Sequence, residues 1–154
     1  MPEHELPEQV WTLVQNRLGY DHEEMALFRA DPRNARVLET GVEMRSKTIV
    51  FEVVESEGCN SQHGVGTRFY FTGDGNLITK MAPSRVCVFA VPPMSTAIFA
   101  FHELMYAGVD PNEACFKRGG CFDVGVRCGG WGHIVVEGRV LDRAEADQLF
   151  AAQG

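Results

Sequence analysis

Between residues 8 and 40, hydrophobic residues recur at the three- and four-residue spacing of an α-helix, which predicts three short helices. The first has Trp11 on its apolar face and ends at Gly19, and Asp21 with Glu24 has the spacing of a capping box that opens the second. Pro32 ends that helix and suits the first turn of a third. We expect residues 1–44 to form a small helical arm that either packs on the rest of the chain or mediates dimerisation.

Beyond Lys47 the period of the pattern falls to two, which predicts β-strands. The first strands cover residues 49–54 and 68–71, and a glycine turn at residues 73–76 returns the chain through residues 77–78 as a hairpin. Residues 86–91 are apolar throughout, which predicts a buried strand, with a helix start as the alternative.

After the break at Pro92 and Pro93, residues 97–107 have helical spacing and are apolar on nearly every side, which predicts a central buried helix ending at Gly108. A short helix after Asp110, strands at residues 122–126 and 134–136 and a capped last helix follow. The predicted fold class is α+β: a curved, mostly antiparallel sheet around one buried helix, with a small helical N-terminal arm. We expect one domain over residues 1–154, with the arm at 1–44 and the α+β body at 45–154.

The composition limits the classes of function. The chain has 154 residues, 45% of them apolar and 23% charged, as in one folded domain. Its net charge of −7 argues against a nucleic-acid partner, since phosphate backbones are bound by clustered Lys and Arg. There is no run of about 18 apolar residues and no signal-peptide pattern in the acidic first five residues. We therefore expect a cytoplasmic protein without a membrane partner, whose five cysteines stay reduced.

Two glycine-rich runs hold the residues that are best suited to chemistry. Residues 58–66 contain Cys59 and His63, four positions apart, and residues 119–133 contain Cys121 and Cys128. Glycine lets the backbone approach a ligand closely. A thiol and an imidazole at this spacing can ligate a metal or can pair as nucleophile and base. The alternative is a small buried cysteine and a histidine that caps the loop.

The remaining cysteines leave two kinds of site open. Cys128 lies beside two glycines, whereas Cys87 has apolar neighbours that favour a core position. Together with Cys59 and His63 they could still form a four-ligand site for zinc or an iron–sulfur cluster. The chain has no C-x-x-C pair, which argues against the common structural zinc modules. A metal-free site is the other reading.

Four further side chains complete the candidate site. Arg118 can hold a carboxylate with two hydrogen bonds, although a cation at a helix C-terminus explains it equally well. Trp131 and Phe69 can stack on an apolar ligand, and Asp123 is a further acid–base candidate. No complete metalloprotease, dinucleotide, P-loop or serine-hydrolase motif is present.

The body resembles a family of small bacterial conserved-hypothetical proteins. These proteins have a Cys-x-x-x-His/Lys-x-Val-Gly loop after the first strand, a cysteine before a helix and a late cysteine before the last strand. The matching residues here are Cys59, His63, Val65, Gly66, Cys87 and Cys128. The resemblance implies a site around these residues and no particular activity.

These observations predict a small enzyme that acts on a small organic acid or aromatic compound. Cys59 would be nucleophile, acid or ligand, and His63 would be base or ligand, in a lyase-like or metal-assisted reaction. The alternatives are a zinc- or iron–sulfur-binding accessory or redox protein and a non-catalytic oligomeric binding module. Either a monomer or a homo-oligomer fits the pattern.

Overall fold

The computed structural model describes residues 6–153, so residues 1–5 of the predicted arm and Gly154 lie outside the described residues. The chain divides into two compact units, one that ends at Glu43 and one that begins at Met44. The division lies one residue before the boundary that the hydrophobic pattern predicts between arm and body. The second unit carries all of the candidate site residues.

The first unit is made of three helices, as its apolar spacing predicts. They are α1 (Glu8–Leu18), α2 (His22–Ala30) and α3 (Pro32–Met44), the last of which reaches one residue past the division. Gly19 ends α1 in the left-handed conformation, with φ of 73°. The capping box of Asp21 and Glu24 at the start of α2 is formed by both of its hydrogen bonds. A small core of Trp11, Met25 and Ala35 holds the helices together.

The second unit is built on a four-stranded sheet. Its strands are β1 (Lys47–Glu57), β2 (Arg68–Thr72), β3 (Arg118–Gly120) and β4 (His133–Asp142). Their order across the sheet is β2-β1-β4-β3, and every neighbouring pair is antiparallel. The α+β class and the antiparallel sheet are therefore confirmed. The register of β1 on β4 shifts between Val53 and Glu55, where a bulge bends the long central strand.

A helix covers each face of this sheet. On one face α4 (Val91–Tyr106) packs Met94, Ile98 and Phe101 against the inward side chains of β1 and β4. On the other face α5 (Arg143–Ala151) packs through Ala146. The sequence predicts a helix that is buried all round, but α4 buries one side only, and Phe99 on its outer side is 67% exposed.

The segment from Val88 to Tyr106 is also long and apolar enough to cross a membrane, judged by length and composition alone. Among the described residues it is the one such helix. In this fold its inner side is part of the core of the second unit. The expected absence of a membrane partner stays a prediction.

Two predicted strands are wrong. In place of the first, residues 88–90 form a 3-10 turn that leads into α4, so the alternative of a helix start is confirmed for this segment. Pro92 and Pro93 lie in the first turn of α4, where an N–H group has no acceptor within the helix and proline is therefore tolerated. Residues 122–126 are irregular and end in a 3-10 turn at Val126–Cys128, because their backbone bonds to the side chain of Asp123 instead of to a neighbouring strand. The short helix predicted after Asp110 is a 3-10 turn, and the hairpin return reduces to one bridge between Phe71 and Leu77.

Candidate functional site

The two glycine-rich runs of the sequence meet at the open end of β1 and β4. Their closest approach is backbone to backbone: a Cβ placed on Gly132 would lie 2.1 Å from the carbonyl oxygen of Gly58. Gly58 itself has φ of 60°, a conformation that side chains with a Cβ rarely adopt. Both glycines are thus required where they stand, and their contact joins the loop after β1 to the loop before β4.

A cleft of about 800 Å³ lies between these two loops. The loop after β1 contributes Cys59 and His63, and the loop before β4 contributes Trp131, whose side chain is 82% exposed. The other lining residues are small or uncharged: Ser56, Gly58, Asn60, Gln62, Gly64, Val126 and Gly130. A half-buried thiol, an imidazole and an open indole face therefore share one cavity, as the sequence predicts for these three residues.

The turn between Cys59 and His63 is strained. Gln62 has φ of 62°, and within residues 6–153 it is the one residue other than glycine with positive φ. Its backbone N–H donates to the carbonyl oxygen of Cys59 at 3.0 Å, and its side-chain Nε2 donates to the same oxygen at 3.2 Å. Such strain is concentrated at ligand sites, where the surrounding structure holds it in place. The turn directs His63 inward.

The position of His63 is fixed by its contacts, and its burial favours the neutral ring. Its side chain is only 2% exposed, and its ring packs edge-on against Phe69 with 5.1 Å between ring centroids. The backbone N–H of Cys87 donates to its Nε2 at 3.3 Å. Burial lowers the pKa of His63, which favours the neutral ring. Because Nε2 accepts the amide of Cys87, the proton of that neutral ring lies on Nδ1. The lone pair that could take up a proton lies on Nε2 and already accepts the amide of Cys87, which argues against the predicted role of His63 as a base.

Asp123 organises the second loop. One carboxylate oxygen accepts the backbone N–H groups of Gly125 and Trp131, each at 3.0 Å. The other accepts the N–H of Gly132 at 3.2 Å. These backbone hydrogen bonds lower the pKa of Asp123, so the carboxylate is a weaker proton acceptor than an ordinary aspartate. The geometry therefore supports a structural role for Asp123, in which it positions Trp131, over the predicted acid–base role.

Other predicted site residues lie elsewhere. Phe69 is fully buried in the core beneath His63 and cannot stack on a ligand. Arg118 lies on the edge strand β3, where it pairs with Glu137 at 2.5 Å. Cys87 is half-buried against the core, and Cys128 is exposed, but neither lines the cleft.

The predicted metal site is not assembled by the residues as they lie here. Within residues 6–153, no group of three or more His, Cys, Asp and Glu side chains is arranged to hold a metal ion. Of the four predicted ligands, Cys59 and His63 share the cleft, whereas Cys87 meets His63 through its backbone amide. Metal binding by these residues stays a prediction that direct metal analysis can decide.

Two residues that support the site carry no clear signal in the sequence. Gln62 is a polar residue in a loop, and only the backbone conformation reveals the strain that it carries. Cys121 links the second loop to β4, since its Sγ accepts the N–H of Ile134 at 3.3 Å and donates to the carbonyl oxygen of Asp123 at 3.6 Å. Its place before an irregular loop hides this role from any strand pattern.

Comparison of the chain with protein-family models, with curated proteins and with solved structures finds no match in any of the three. The resemblance to small bacterial proteins with a Cys-x-x-x-His/Lys-x-Val-Gly loop therefore stays a prediction.

Proposed function

We propose that this protein is a small enzyme whose cleft binds a small aromatic compound and presents it to the thiol of Cys59. The observation that carries the proposal is the composition of the cleft. Of the five cysteines, Cys59 is the one that lines it, and the open face of Trp131 lines it as well. A reactive group and a stacking surface in one cavity are the two parts that such an enzyme requires.

The cleft favours an aromatic ligand over a simple organic acid. None of its lining residues is Lys or Arg, and Arg118, the predicted carboxylate clamp, lies at β3 outside it. A carboxylate would have to leave water for amide and hydroxyl donors such as Asn60 and Ser56, which is less favourable than an ion pair. An indole face offers stacking energy to any flat ring.

In a lyase-like reaction, Cys59 would act as the base and His63 as a hydrogen-bond donor. Cys59 as thiolate would take the proton from a carbon beside a carbonyl group, and the electron pair of that C–H bond would move onto the carbonyl oxygen. His63 would donate from Nδ1 to this oxygen, since its Nε2 already accepts the amide of Cys87. The electron pair would then expel a leaving group from the next carbon. In this assignment the neutral imidazole is a fixed donor, and the sulfur is the base.

Protection of Cys59 from alkylation tests the binding part of the proposal. Native protein is treated with iodoacetamide, and each cysteine is quantified by mass spectrometry, with benzamide, benzoate or acetate as the probe compound. We expect benzamide and benzoate to slow alkylation of Cys59, and acetate to leave it unchanged. Cys128 is exposed and outside the cleft, so its alkylation is the internal control.

Two matched variants test whether binding in the cleft causes the protection of Cys59. Trp131→Ala should abolish protection by benzamide, whereas Phe99→Ala removes another exposed ring that does not line the cleft and should leave the protection intact. If no aromatic probe slows Cys59, or if both variants behave alike, the proposed ligand class is wrong. Once a substrate is found, Cys59→Ser should abolish turnover while stability changes little.

Metal analysis of protein purified without oxygen separates this proposal from the zinc or iron–sulfur alternative. The positions of Cys87 and Cys128 support a metal-free cleft. One bound zinc or iron per chain, lost in Cys59→Ser, would instead favour the accessory-protein hypothesis.

A further inference from the structure

The two outer edges of the sheet differ. The edge at β2 is covered by the chain that follows it, since Ile78 donates to the carbonyl oxygen of Tyr70 and Thr72 donates to that of Asn76, each at 2.8 Å. Among the described residues, no such cover lies over Arg118 and Gly120 of β3, and only beyond the strand does the N–H of Phe122 donate to the carbonyl oxygen of Phe89, at 2.9 Å. An uncovered edge presents backbone donors and acceptors that can pair with another strand.

The open groups of β3 can be identified from its pairing with β4. Lys117 accepts the N–H of Gly138 at 2.8 Å, and Cys121 donates to Ile134 at 3.0 Å, so these residues direct their backbone groups inward. Because the direction alternates along an antiparallel strand, the N–H and C=O groups of Arg118 and Gly120 point away from the sheet. Two residues thus offer four backbone groups for hydrogen bonds.

Exposed aromatic rings precede and follow β3 in the chain. Phe116 is 94% exposed and Phe122 is 75% exposed, and both line a groove of about 540 Å³ against the first turns of α4. The ring of Phe89 stacks on Phe122 with 5.8 Å between centroids and is itself half-exposed. A soluble monomer rarely leaves so much adjoining apolar surface open, so this surface is suited to a partner.

We propose that the partner is a second copy of this chain, which pairs its own β3 antiparallel about a two-fold axis through Gly119. In this register Arg118 of one copy lies opposite Gly120 of the other, and the outward groups form four backbone hydrogen bonds. The same symmetry sets Phe116 opposite Phe122 of the second copy. An edge whose donors, acceptors and rings all match under one rotation is self-complementary, as a two-fold interface requires.

The cations at this edge do not oppose the pairing. Arg118 pairs with Glu137 of the neighbouring strand, and the Nζ of Lys117 donates to the carbonyl oxygen of Asn112 at 2.9 Å. Each cation near the axis therefore has a partner in its own copy, which reduces repulsion between the two copies.

The exposed area is sufficient for a weak dimer. A buried phenylalanine removes roughly 150–250 Å² from water, so the open parts of Phe89, Phe116 and Phe122 provide roughly 700–1,100 Å² over two copies. Specific interfaces begin near about 1,000 Å² in total. Backbone pairing along β3 and the walls of the groove add to this area.

Sedimentation of the full chain over a range of concentrations tests the proposal. We expect a reversible dimer whose dissociation constant rises at least about tenfold in Phe116→Glu with Phe122→Glu, since buried charges oppose association. Phe99→Glu replaces an exposed ring of α4 outside the groove with one negative charge and should leave the dimer unchanged. Circular dichroism verifies that each variant is folded.

Hydrogen exchange measured by NMR adds a readout that is specific to strand pairing. The amides of Arg118 and Gly120 should exchange more slowly as protein concentration rises, and those of the double variant should not. The proposal is overturned if the protein stays monomeric or if the double variant does not weaken the dimer. It is also overturned if the exchange rates of these amides do not depend on protein concentration. Binding of monomers to neutral lipid vesicles through the same rings would do so as well.

Discussion

Asp123 is the residue whose role depends most on contacts that the sequence does not display. Its carboxylate accepts three backbone N–H groups, and an asparagine has only one oxygen to replace two. We expect Asp123→Asn to lower the melting temperature clearly, whereas Asp147→Asn on the exposed face of α5 should not change it. The measurement is thermal unfolding followed by circular dichroism.

The lowered pKa of Asp123 also predicts how the effect of Asp123→Asn on the melting temperature depends on pH. Its stabilising effect is complete above the unfolded pKa of about 3.9 and is lost as the pH falls through the lower folded pKa. The difference in melting temperature between wild type and Asp123→Asn should therefore shrink below about pH 4. A difference that persists unchanged in acid would contradict the role of the charged carboxylate.

His63 leads to a pH prediction of the same direction in a higher pH range. Burial lowers its folded pKa, so the unfolded chain takes up a proton first as the pH falls below about 6.5, and stability decreases with it. His63→Gln keeps an acceptor for the amide of Cys87 but does not titrate, so this part of the decrease should vanish. Urea unfolding at about pH 7.5 and about pH 5.5 measures it. An equal decrease in both proteins would show that other groups cause it.

At the scale of single residues, the sequence predicts which residue types lie together in the cleft. It does not predict which of their polar atoms already take part in hydrogen bonds. Glycines on both runs indicate a close approach, and the cleft contains Cys59, His63 and Trp131 as expected. The sequence cannot show that Nε2 of His63 is occupied or that Asp123 is bound to amides, because both facts depend on contacts between distant segments. Chemistry assigned from residue type alone therefore overestimates the number of acid–base groups.

At the scale of elements, the contact between the two loops determines the cleft. A methyl group on Gly132 would meet the backbone of Gly58 at 2.1 Å, where no flexible side chain can yield. We expect Gly132→Ala to destabilise the fold by about 2–4 kcal/mol and to abolish ligand protection of Cys59. Gly64→Ala is the matched control, because it lines the same cleft and nothing lies within 4 Å of its added Cβ.

The control should differ from wild type by less than about 1 kcal/mol, and it can be stabilising, because alanine restricts the unfolded chain. Chemical denaturation of both variants measures the two changes. Equal stability of Gly132→Ala and Gly64→Ala would mean that the loops do not depend on this contact.

Elements with local signals are predicted well, and elements without them are not. The capping boxes of Asp21 and Asp142 mark two helix starts that the structure contains, because the bonds of a cap lie within four residues. The alternation at residues 122–126 instead predicts a strand that does not form, since these apolar side chains are exposed beside the cleft and the β3 edge. Alternating apolar residues are typical of a strand with one buried face, but an exposed apolar segment can have the same pattern.

For the whole molecule, the two units should differ in stability when they are separated. Both hydrophobic clusters of the second unit draw their side chains from residues 49–149, and the sheet with its two helices lies within residues 44–153. We expect residues 44–154 alone to unfold cooperatively and to keep aromatic protection of Cys59. Circular dichroism and the alkylation assay measure both properties.

Residues 6–43 alone should behave differently. Their hydrophobic cluster has three buried members, Trp11, Met25 and Ala35, and chains below about 40 residues seldom bury enough surface to fold without a metal, disulfides or association. We expect this peptide to show partial helicity that melts without a cooperative transition. A sharp transition at a concentration-dependent temperature would instead show that the arm associates with itself, the dimerisation role that its apolar faces also allow. If the second unit failed to fold without residues 6–43, its core would not be self-sufficient, and the cleft could not be studied apart from the arm.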